Sequence, residues 1–250
     1  MRLAPISLLG PRLLDFSASD DVKEMALGTQ IEAAGTDYDT TANVPNWGAA
    51  TLLYVSSTAA AAIIPGTLVV LDKNFRIAAT AASEANTGRP VYVALTNFAI
   101  GSTTEQYGWV LRQGIAPVVY SVAATAGNVY GGTAGKATPT AAAGIQILNA
   151  RCIIAAAGSF TRNGTTRTGS SRVRLPNVAG VFVGQAISGT GIPASSVVSS
   201  IDSNGTDVII GSAIGTPVTA TATGTVTVTF THTGYGICQV DNATFQSQIT

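Results

Sequence analysis

The cleanest alternation of hydrophobic and polar positions lies in TVTVTFTH, where Val226, Val228, Phe230 and His232 fall on one face of an extended segment and Thr225, Thr227, Thr229 and Thr231 on the other. Successive strand side chains point to opposite faces, so this period of two predicts a half-buried β-strand. Most of the chain after Thr51 reads the same way: runs rich in Val, Ile, Leu, Tyr and Thr are punctuated by Gly, Pro and Asn. Strands are predicted at Leu52 to Ser56, Leu68 to Asp72, Phe75 to Ala79, Pro90 to Thr96, Gly108 to Gln113, Ile115 to Tyr120 and Ile147 to Ala155. Asp72-Lys73-Asn74 reads as a tight hairpin turn between two of them, and Gly114 as a second.

Residues 157–233 have a finer Thr, Ser, Gly and Val rhythm in SRVRL, VFVGQAIS, SSVVSSID, TDVIIGSA and TVTVTFTH. Strands spaced by about 8–12 residues indicate a small sandwich or barrel. Asn204-Gly205 is a strong hairpin signal within it. GYGICQVDNATFQ then returns to the earlier style and predicts a last strand of the preceding domain. The expectation is an all-β protein with a β core domain of residues 51–156 plus 234–250, a small barrel or sandwich, carrying residues 157–233 as an inserted, β-sandwich-like module. Residues 1–50 keep neither helical nor strand period for long and read as an extended N-terminal arm. One short helix is expected there, from Asp21 to Leu27, because Asp21 and Glu24 have capping-box spacing and Gly28 follows.

Composition narrows the function classes. The chain has 250 residues, of which 10% are charged, with one histidine, two cysteines and a formal net charge of zero. Acid/base catalysis, nucleophile activation and metal ligation draw on the residue types it lacks. Zero net charge supplies no pull toward nucleic acid or an anionic membrane. No run approaches the ~20 apolar residues of a spanning helix, and Pro5, Pro11 and Arg12 interrupt the start before a secretory apolar region forms. No enzyme, cofactor, metal, nucleic-acid or membrane role is therefore expected. Residues 1–40 hold seven acids against three bases, whereas 151–174 hold Arg151, Arg162, Arg167, Arg172 and Arg174 with no acid, which reads as a solvated basic loop.

Individual candidates are weak. His232 is expected to be a satisfied strand-end histidine, since no G-x-S-x-G or similar nucleophile signature accompanies it. Glu32, Asp37 and Asp39 lack the spacing of a calcium loop. Gly189-Thr190-Gly191 lacks the lysine of a phosphate loop and reads as a turn. Cys152 and Cys238 flank the inserted module, whose ends should lie close together, and are expected as two buried free thiols rather than a bridge.

Two stretches carry a family resemblance. GVFVGQAISGTGIPASSVVSSIDSNGTDVIIG followed by TATATGTVTVTF, within residues 173–230, looks like a β module recurrent in virion proteins of tailed bacteriophages. IIPGTLVVLDKNFRIAATAA and GRPVYVALTNFAIGSTTEQYGWVLRQGIAPVVYSVAATAGNVYGG, within 51–156, are similar to the capsid decoration or cement proteins of those phages. The resemblance implies a structural virion protein on the outer capsid surface, assembled in the host bacterial cytoplasm and contacting the major capsid protein as a homo-oligomer, with a trimer suited to a site between capsomers. A head fibre, a tail component or a host-surface adhesin is the alternative. A glycan-depolymerising enzyme would instead need two carboxylates converging in one cleft. Within the arm, Leu8, Leu9, Leu13, Leu14 and Phe16 are the candidate partner-binding residues, because the prolines between them leave no way to build a core of their own.

Overall fold

The computed structural model describes residue 19 and residues 23–33, 43–58, 62–98, 104–156, 158–202 and 205–247. The chain is all-β and its described residues divide into two compact units, residues 19, 23–33, 47–58, 62–98, 104–156 and 234–247 forming one and residues 43–46, 158–202 and 205–233 the other. The first unit, the core, holds β1 (Gln30–Ala33), β2 (Ala50–Ser57), β3 (Leu68–Leu71), β4 (Ile77–Ala79), β5 (Tyr92–Ala94), β6 (Gln106–Val119), β7 (Gly127–Gly131), β8 (Ala137–Thr138) and β9 (Gln146–Ile154). The second holds β10 (Ser159–Thr166), β11 (Arg172–Arg174), β12 (Ala186–Ser188), β13 (Val197–Ile201), β14 (Asp207–Ala213), β15 (Thr216–Pro217) and β16 (Gly224–Thr231). The chain then returns to the core as β17 (Tyr235–Phe245).

The core is one ten-stranded sheet curved into a half-barrel, in the order β4-β3-β5-β6-β17-β9-β7-β8, with β2 beside β6 and β1 beside β2. Its centre is buried on both faces. Leu53 and Val55 of β2 join Ile63, Val69, Ile77, Phe98 and Val110 in one cluster, while their alternates Leu52 and Tyr54 are also buried. The Asp72 turn forms the expected hairpin between β3 and β4. Its carboxylate accepts from the backbone N–H of Arg76 (2.9 Å) and Asn74 (2.7 Å), and those bonds, the Arg76 one foremost, lower its pKa.

Gly114 does not turn the chain. It sits inside the single strand β6, whose first half pairs with β2 and whose second half pairs with β17. The β2 register skips Arg112, since Thr51 lies opposite Gln113 and Leu52 opposite Leu111, so a bulge re-aims the strand here. Gly114 has φ +135°, and a Cβ on it would lie 2.9 Å from that of Ala50. Gly114→Val is therefore expected to cost about 3 kcal/mol, combining backbone strain with a clash; a urea midpoint within error of wild type would show that the bulge tolerates a side chain.

The module is a barrel, not a sandwich. Strands β11-β10-β16-β12-β13-β14 are successive neighbours, and β14 pairs with β11 to close six strands, leaving β15 as an appendage of β14. Closure removes the sheet edges a sandwich would keep. The interior is filled by Phe160, Val173, Leu175, Val181, Ile187, Val198, Val208, Ile210, Val228 and Phe230. The alternation predicted for β16 holds: Val228, Phe230 and the following His232 are buried, whereas Thr225 and Thr227 are exposed.

The expected arm is also different in its described part. Residues 23–28 are not helical: a single turn over Leu27 and Gly28 is closed by the Thr29 N–H donating to the Ala26 carbonyl at 3.1 Å, and Gly28 at φ +82° donates its N–H to the Tyr54 carbonyl at 2.9 Å. A helix of that length lacks the stability to form without packing, so the β2 contact wins. Residues 30–33 are strand β1 on the core sheet, and Val44 is buried in the barrel cluster.

Candidate functional site

Leu8, Leu9, Leu13, Leu14 and Phe16 lie outside the described residues. Among the described residues, polar chemistry gathers most densely at Glu105. Its carboxylate accepts from Ser56 Oγ (2.8 Å), Arg76 Nε (3.0 Å) and Tyr107 Oη (3.2 Å). The Ser56 hydroxyl is the main reason its pKa is lowered, with Arg76 and Tyr107 adding to it. A carboxylate held low and ion-paired is a weak base, so this arrangement ties β2 and the start of β6 to the residue that precedes β4. Nothing in the sequence singled out this cluster, because its members are brought together only by strand pairing.

The basic run at 151–174 is not a loop. Arg151 lies on β9, Arg162 on β10, and Arg172 and Arg174 on β11. Arg172 pairs with Asp202 and, at 3.4 Å, with Asp207 of its own unit, and these two carboxylates raise its pKa. Arg162 donates to the Ala179 carbonyl at 3.1 Å and places its guanidinium 5.3 Å from the Phe160 ring centroid. Arg174 is exposed at a shallow groove of about 300 Å³ lined by Asn163, Thr165, Leu175, Pro176 and Thr225. A second groove, of about 260 Å³, lies between Trp47, Gln113, Ile115, Gln239 and Asp241 in the core. Each groove holds one ionisable side chain, Arg174 or Asp241, which is too few for an acid/base pair.

Glu32 stands on β1 opposite Thr51, while Asp37 and Asp39 lie outside the described residues. Among the described residues no group of three His, Cys, Asp or Glu side chains is placed to hold a metal ion, and no helix is long and apolar enough to cross a membrane. Gly189 to Gly191 form the expected turn, with the Ile192 N–H donating to the Gly189 carbonyl at 3.0 Å.

His232 departs from expectation. It is buried with the Phe182 and Phe160 rings 5.8 and 6.3 Å from its own, and neither of its ring nitrogens has a hydrogen-bond partner among the described residues. Burial brings its pKa down to about 4 from 6.5. The folded barrel therefore holds the neutral ring. The stability this confers is full above the unfolded value and is lost as pH falls through 6.5 toward 4, because the unfolded chain takes up the proton first. Acidification from pH 7 to 4 is expected to remove about 3 kcal/mol through this group. His232→Phe should flatten that part of the stability-pH profile; an unchanged slope in the variant would assign the acid sensitivity elsewhere.

The two cysteines are free and buried, and they are direct partners across β9 and β17. No protein-family model matches this chain, and no match was found among curated proteins or solved structures.

Proposed function

We propose that this protein is a structural component of a tailed-bacteriophage virion that decorates and cements the outside of the capsid by binding the major capsid protein. The observation that carries the reading is the resemblance of residues 51–156 to capsid cement proteins, in a chain whose β2 to β9 all belong to one hydrogen-bonded sheet. The polar clusters at Glu105 and Arg172 support it, since each spends its charge on ties within its own unit. A cementing protein needs rigid bodies and broad contacts rather than reactive groups. The proposal includes a homo-oligomer, a trimer by the symmetry of sites between capsomers, and assembly in the bacterial cytoplasm.

The closed barrel forms a unit of its own, which favours a head fibre or tail adhesin as the second reading. Co-sedimentation separates the two. Purified protein is expected to bind capsids lacking it, saturably and at fixed copy number, and to leave host cells unbound. Binding to cells with none to capsids would replace the cement reading by the adhesin.

A further inference from the structure

Cys152 and Cys238 are Cα partners in the antiparallel pairing of β9 with β17, beside a register shift that skips Ile153. Directly opposed Cα atoms in such a pair lie about 4.5 or 5.5 Å apart, depending on whether the pair is hydrogen-bonded. A disulfide spans Cα separations of about 4.4–6.8 Å, so either kind of site admits the bond with little backbone movement. The Cys152 thiol donates to the Ile154 carbonyl at 3.3 Å and the Cys238 thiol to that of Gly236 at 3.7 Å, and Tyr120 Oη lies 3.6 Å from Cys238 Sγ. Gly236 keeps the space open, since a Cβ there would come within 2.8 Å of Cys152 Sγ.

We propose that Cys152 and Cys238 are a dithiol that closes to a disulfide when the protein meets a small-molecule disulfide oxidant, tying together the strands by which the chain leaves and re-enters the core. The two thiols differ in a way that suits the exchange. Hydrogen bonding from Cys238, helped by Tyr120, brings the Cys152 thiol down to about 7, while burial pushes that of Cys238 up. The Cys152 thiolate attacks one sulfur of oxidised glutathione, forms a mixed disulfide and expels one glutathione thiolate. Cys238 gives its proton to that thiolate and attacks Cys152 Sγ, and the second glutathione leaves. Two protein thiols lose two electrons and one oxidant disulfide becomes two thiols. Because both sulfurs are buried, exchange proceeds through opening of the β9–β17 pair or during folding. The bond closes the long loop from 152 to 238, which constrains the unfolded chain strongly.

The test refolds the full chain from denaturant with oxidised glutathione and, in parallel, with dithiothreitol, then alkylates with iodoacetamide in denaturant and records intact mass. The oxidised sample is expected to carry no alkyl group, to weigh two hydrogens less than the reduced chain, and to melt about 5–15 °C higher. Dithiothreitol should reverse both changes, and Cys152→Ser should show neither. A chain that refolds in oxidised glutathione with both thiols still alkylated, or whose cysteines join only between molecules, overturns the proposal.

Discussion

Phe230→Ala is expected to unfold the barrel while leaving the core sheet intact. Phe230 is fully buried on β16, opposite Phe160 of β10 and Ile187 of β12, and its ring stacks on that of Phe160 with centroids 5.2 Å apart. It therefore packs against both neighbouring staves of a closed barrel, and truncating it leaves a cavity that six hydrogen-bonded strands have little freedom to collapse. The cost expected for such a phenylalanine is about 3–5 kcal/mol, a large share of the 5–15 kcal/mol that holds a typical domain together. The core relies on a separate cluster around Leu53, Val55, Val69 and Val110. Hydrogen exchange should show the amides of β10 to β16 losing protection in the variant while those of β2, β6 and β17 keep theirs. Equal loss in both sets would mean that the two units unfold as one.

Deleting residues 1–20 should abolish capsid attachment. The segment removes Leu8, Leu9, Leu13, Leu14 and Phe16, and each such side chain buried against a partner is worth about 1.5–3 kcal/mol. Even after the cost of ordering the segment, a net loss of about 4 kcal/mol corresponds to roughly a thousand-fold in affinity. Melting of the truncated chain should stay within a few degrees of wild type, so that lost binding reflects lost contact. Truncated protein that sediments with capsids at wild-type affinity would remove these residues from the interface.

The features legible in the sequence were those set by neighbours along the chain. The β16 alternation, the Asx chemistry of the Asp72 hairpin and the return of the chain to the core at β17 all follow from local pattern. Gly114 was misread because a glycine between two apolar runs looks like a turn; what makes it a bulge is the change of partner from β2 to β17, and both lie far away in sequence. Strand spacing left sandwich and barrel both open, and the choice was hidden for the same reason, since closure depends on residues 172–174 meeting 207–209. Strand β10 was hidden by its composition: SFTRNGTT is polar and contains glycine, yet Phe160, Gly164 and Thr166 are its buried positions, a period of two written partly in small residues. His232 was correctly placed on the buried face, but burial without a partner is a property of the packed barrel and of the rings around it. The Glu105 cluster draws on Ser56, Arg76 and Tyr107, and only two of these four are near each other in sequence.

The most direct test of the account is electron cryomicroscopy of the intact virion at a resolution that separates strands. The account predicts density on the outer face of the shell into which the ten-stranded sheet and the six-stranded barrel both fit, at symmetry-related sites between capsomers, with chain reaching from the core onto the major capsid protein. Density for these two units in the tail or at a fibre tip, with a bare outer shell, would contradict it.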